Sequence, residues 1–89
     1  MPKRLVIKVE GLVQGVSFRV GALRAARKLG LSGFVRNEPD GSVLAEVEGP
    51  STEVDQFLDW CRTGPPLAEV SKVSYDEIQT LGSSEFNIL

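Results

Sequence analysis

Histidine is absent from the 89 residues, and cysteine, methionine, tryptophan and tyrosine occur once each. The missing imidazole removes the commonest metal ligand and the commonest general base at neutral pH, and with it the Ser-His and Cys-His nucleophile pairs. A single cysteine, Cys61, excludes an internal disulfide and argues against a structural thiolate metal site. Positive charge is also scarce. Ten Lys and Arg against twelve Asp and Glu give a net charge of −2, which argues against a broad footprint for nucleic acid or an anionic membrane. Any anion site must therefore be local. Long apolar runs are missing too: in "MPKRLVIKVEG" the hydrophobic residues alternate with Lys8 and Glu10, so neither a signal peptide nor a membrane span is expected, and a cytoplasmic location follows by default.

Hydrophobic residues make up 42% of the chain and no segment lacks them for long, which predicts one domain over residues 1–89. Leu5, Ile7 and Val9 recur at period two and predict a strand ending at Gly11. Phe18, Ala22, Ala25, Ala26 and Leu29 form a helical stripe, with Ser17 as the expected N-cap and Gly30 as the stop. "SGFVRNEPDGSVLAEVEG" predicts a hairpin turning at Pro39-Asp40-Gly41, its acids Glu46 and Glu48 facing solvent. Val54, Phe57, Leu58 and Cys61 mark a second amphipathic helix, stopped by Gly64-Pro65-Pro66, with Trp60 off the stripe at an edge of the core. "AEVSKVSYDEI" and "FNIL" predict a fourth strand and a short terminal one. The order β-α-β-β-α-β predicts an α+β, ferredoxin-like split β-α-β sandwich: one antiparallel sheet with both helices on one face.

The chemistry concentrates in "GLVQGVSFR", residues 11–19. A glycine loop between a strand and a helix can converge bare N–H groups on an anion, and the helix N-terminus adds partial positive charge. The stretch lacks the lysine of a Walker A sequence and has no G-x-G-x-x-G, so neither a nucleoside triphosphate nor a dinucleotide is indicated. Taken alone, the glycine pair reads first as a tight turn. Arg19 shifts that reading, because an arginine in the first helical turn opposes the macrodipole at a cost of about 0.3 to 1 kcal/mol. An oxyanion held between loop amides and guanidinium would reverse the cost. Asn37 shares strand parity with Val35, so its amide points toward the helix-covered side; from spacing alone, holding a water and shaping the turn before Pro39 are equally open. Ser17 has no base nearby and reads as a cap rather than a nucleophile, and Cys61 reads as core.

"GLVQGVSFR" followed by "LGLSGFVRNEPDGSV", with "GPP" before the fourth strand, resembles the acylphosphatase family from about residue 5 to the C-terminus. The resemblance implies hydrolysis of the carboxyl-phosphate bond of acyl phosphates without metal or cofactor. By position it makes Arg19 the phosphate-binding catalytic arginine and Asn37 the asparagine that orients the attacking water, with backbone amides at Gly15, Val16, Ser17 and Phe18 completing the cradle. Leu12, Phe34 and Glu38 depart from common family forms, at the rim and supports rather than at the two principal side chains. The implied partner is a small-molecule acyl phosphate bound by a monomer, with no nucleic acid or membrane. The alternative is a non-catalytic acyl or carbamoyl phosphate-binding module of the same fold. RNA binding ranks last, since Val6, Lys8, Leu44, Glu46 and Glu48 offer no aromatic for base stacking on the central strands.

Overall fold

A computed structural model of the chain describes residues 2–89; Met1 lies outside the described residues. The elements follow the expected order: β1 (Pro2–Leu12), α1 (Phe18–Lys28), β2 (Ser32–Asn37), β3 (Val43–Pro50), α2 (Ser51–Thr63), β4 (Glu69–Ile78) and β5 (Phe86–Ile88). They form a ferredoxin-like sandwich whose sheet runs β4-β1-β3-β2-β5, with both helices packed on one face. Period two explains that arrangement. Leu5, Ile7 and Val9 on β1 stand opposite Val47, Ala45 and Val43 on β3, so the apolar alternates of neighbouring strands share one face and must be covered. The helical stripes cover it: Phe18, Ala22 and Ala26 of α1 and Val54, Phe57, Leu58 and Cys61 of α2 are buried in the same core. Trp60 packs partly buried between the helices, its ring 5.2 Å from Phe18 and 6.1 Å from Phe57.

Four expectations change. β1 does not end at Gly11; it runs to Leu12, with a bulge between Glu10 and Gly11 in its pairing with β4. There a side chain at Gly11 would overlap the Glu69 carbonyl oxygen, so this glycine serves close strand approach rather than the loop. The sheet is not wholly antiparallel, because β5 runs parallel to β2. Since β4 and β5 lie at opposite edges, residues 79–85 must cross the face away from the helices, and that crossing causes the third change. Glu48, expected in solvent, is 7% exposed, because the Leu81 and Gly82 N–H groups donate to its carboxylate at 2.7 and 2.9 Å. Arg4, only 3% exposed, donates to Glu46 at 2.9 Å, to Glu48 at 3.1 Å and to the Ser83 hydroxyl at 3.1 Å. Glu46 is thereby half-buried as well. The fourth concerns Ser17, which occupies the N-cap position but bonds no amide with its side chain.

Candidate active site

Helix α1 ends as its sequence requires and begins in an unusual way. At its C-terminus Gly30 N–H donates to Arg27 and Leu31 N–H donates to Ala26, the paired bonds of a Schellman stop. At its N-terminus Ser17 accepts the first helical bond through its carbonyl, from Gly21 N–H at 3.0 Å, yet its own backbone is left-handed, φ 65°. A serine that caps with its hydroxyl needs an extended backbone to reach the amides of the first turn, and the left-handed geometry removes that reach. Those amides are consequently not taken up by Ser17, and no acidic residue stands in the first turn.

The preceding residues continue the pattern. Gly15 is left-handed at φ 74° and Ser17 follows at 65°, while Val16 between them keeps a negative φ. Alternating hand is the arrangement that turns successive N–H groups to one concave side, a nest suited to an anion. Nothing crowds a side chain at Gly15, so its glycine serves the positive φ alone.

A cavity of about 390 Å³ opens at this junction, lined by Val13, Gly15, Ser17, Phe18, Arg19, Val20, Asn37 and Ile88. Arg19, half-buried, has no ion pair or hydrogen bond among the described residues. Asn37 reaches the cavity from the end of β2. It pairs with Val43, which pairs in turn with Val9, so all three lie in one row on the helix-covered face, the side that parity predicted. Of the six expected site residues, Gly15, Ser17, Phe18, Arg19 and Asn37 line this one cavity, and Val16 packs against the core instead.

Besides Val13 and Val20 of the lining, two further participants carried no role in the sequence. Ile88 enters the lining because β5 joins the sheet beside β2, a pairing across more than fifty residues that no local pattern reveals. Gln14 is the other: its side-chain nitrogen donates to the carbonyls of Glu38 at 2.8 Å and Ser42 at 2.9 Å, linking the loop to the turn after Asn37. A glutamine between a valine and a glycine has neither charge nor periodicity to mark it. The turn itself is held by Glu38 N–H to Ser42 O at 2.8 Å and Gly41 N–H to Glu38 O at 3.1 Å. Asp40 accepts from the Ser42 hydroxyl and amide and pairs with Lys8 at 3.0 Å, contacts that hold its carboxyl well below the usual range. Cys61 lies in the core away from this cavity, its thiol pushed up to about 12 by burial, which fits its reading as packing. Among the described residues, no three of His, Cys, Asp or Glu gather as a metal-ligand set, and no helix is long and apolar enough to cross a membrane.

Fold and cavity together define a small α+β domain of the ferredoxin-like class that presents, at a strand-to-helix loop, an arginine unpaired among the described residues. Comparison with known proteins specifies the class further. The family model for acylphosphatase matches residues 5–88. An acylphosphatase of Methylococcus capsulatus is 48% identical over 88 residues, covering 98% of this chain and 96% of the relative. The solved acylphosphatase structures from Coxiella burnetii and Bacillus subtilis superpose with TM-scores of 0.95 and 0.94 at 33% and 36% identity. They cover 99% and 100% of this chain, and 93% and 99% of their own. The chain belongs to the acylphosphatase family, whose members are enzymes.

Proposed function

We propose that this cavity hydrolyses an acyl phosphate, with Arg19 and the amides from Gly15 to Phe18 binding the phosphoryl group and the Asn37 amide orienting the attacking water. Water adds to phosphorus, the bond from phosphorus to the acyl oxygen breaks, and its electron pair leaves on the carboxylate. The products are a carboxylate and inorganic phosphate. A carboxylate is a good leaving group at neutral pH, so no strong general acid is needed and a chain without histidine can perform the step. The water's proton passes to a phosphate oxygen of the substrate. Catalysis then reduces to position and charge stabilisation on the equatorial oxygens, which suits a fixed guanidinium and a concave run of N–H groups.

The observation that carries this reading is the meeting of Arg19, the left-handed loop and Asn37 at one cavity. Asn37 favours hydrolysis over passive phosphate binding, since a module that only held the anion would need no amide aimed at a water. The domain works as a cytoplasmic monomer on a small molecule, without cofactor, nucleic acid or membrane. Benzoyl phosphate hydrolysis with chelator present tests the assignment. Turnover should persist in the wild type and fall by about a hundredfold in Asn37→Ala while inorganic phosphate still binds, whereas Arg19→Ala should lose both. Full activity in Arg19→Ala would refute it.

A further inference from the structure

We propose that Gln14 is a positioning residue whose carboxamide sets the distance between the phosphate cradle and the Asn37 amide. The inference rests on the roles given above to Arg19, the loop and Asn37. Cradle and water-orienting amide come from separate segments: residues 13–17 follow β1, and Asn37 ends β2. β1 and β2 do not pair directly, because β3 lies between them, so the strand ladders link the two segments only through the Val9–Val43–Asn37 row. Among the described residues, the hydrogen bonds that join the loop to the β2–β3 turn are the two from Gln14. Their acceptors are the carbonyls that also close the turn, so Glu38 O receives Gly41 N–H and Gln14, and Ser42 O receives Glu38 N–H and Gln14. Each carbonyl thus uses both lone pairs, and the turn cannot tilt relative to the loop without losing bonds.

The residue type fits the task. Two carbonyl acceptors require two hydrogens on one nitrogen, which a carboxamide supplies without adding charge to the cradle loop. Glu38 directly follows Asn37, so a shift of the tethered turn displaces the amide that holds the water. A displacement of about 1 Å from an in-line geometry can cost about a hundredfold in rate.

The test measures benzoyl phosphate turnover, inhibition by inorganic phosphate and thermal midpoint in Gln14→Met, Gln14→Lys, Asn37→Ala and the double variant Gln14→Met/Asn37→Ala. Gln14→Met keeps the length and removes both donors, and kcat should fall by about tenfold to a hundredfold. Phosphate affinity should change by less than about threefold, because Arg19 and the loop amides remain. In the Asn37→Ala background the same change should have almost no further effect, since both act on one water. Gln14→Lys keeps N–H donors but adds charge to the cradle loop, so kcat should recover only in part relative to Gln14→Met, which a loss of folding alone would not predict; a loss as deep as that of Gln14→Met overturns the proposal. So does a Gln14→Met kcat within about twofold of wild type, or losses that multiply in the double variant. Full activity in Asn37→Ala removes the water role and this proposal together, whereas loss there with full activity in Gln14→Met removes only the role of Gln14.

Discussion

Two arginines in this small domain have opposite surroundings. Arg4 stands on the face away from the helices, 3% exposed, with Glu46, Glu48 and Ser83 taking its hydrogen bonds. Arg19 stands half-buried at a cavity with no ion pair or hydrogen bond among the described residues, on a helix end whose dipole opposes it. A guanidinium engaged by protein groups is committed to holding the chain, here by locking the crossing segment 79–85 onto β3. One left unsaturated beside a nest of amides costs the fold a little and leaves its donors open to an anion, as the proposed function requires. Carboxylates mark the difference: Arg4 has two within reach, and the first turn of α1 has none.

Substitution of the two arginines should separate the roles. The largest effect is expected for Arg19→Ala, with benzoyl phosphate turnover down by about a thousandfold or more, the cost of removing the charge proposed to act in the transition state. Its thermal stability should rise, by roughly 0.3 to 1 kcal/mol, as the unfavourable dipole interaction disappears; a lower midpoint would erase the contrast with Arg4. Next is Arg4→Met, which strands Glu48 in a buried position and should cost about 3 kcal/mol, seen in urea denaturation as a lower midpoint at unchanged slope. Turnover per folded molecule should stay within about twofold of wild type. A drop in kcat at normal stability would show that the two faces of the sheet are coupled.

The smallest effect concerns acid. The Glu48 carboxyl lies below its ordinary value, first because the Leu81 N–H donates to it, with Arg4 and the Gly82 N–H adding to that against an opposing cost of burial. A depressed folded value means that its stabilisation is complete above the unfolded value, near 4.5, and is lost as pH falls through the folded one. Denaturation midpoints should therefore decline below about pH 4.5 more steeply in wild type than in Glu48→Gln. Equal acid slopes in the two proteins would remove Glu48 from the account. Asp40 is depressed too and keeps some slope in both, so the difference between the proteins is the readout.

Sequence pattern made most of the architecture legible, since β1, β3 and both helices announced their period and their buried face, whereas β4 buries no residue and shows no such face. It failed where a polar residue's environment came from a distant segment. Glu48 alternates with apolar neighbours and reads as solvent-facing, but the crossing from β4 to β5 covers it, and nothing in residues 43–50 announces a segment more than thirty residues away. Ser17 failed differently. Serine before a helical stripe signals a side-chain cap, and a left-handed backbone overrides that preference. Arg19 was legible because its local position was unfavourable and therefore needed a reason. Asn37 stayed open between two readings, because parity gives a direction without showing what lies in that direction.

The residues alone determined the periods, most of the boundaries and the chemistry that this chain could not perform, because alternation and composition act over a few neighbouring positions. The tertiary structure alone decided which polar groups met. Arg4 found carboxylates, Arg19 met a cavity and Asn37, and Gln14 met two carbonyls of a turn 24 to 28 residues away. Those meetings depend on strand order and on where the chain crosses the sheet, and such choices are governed by burial of the whole core rather than by the residues that come together.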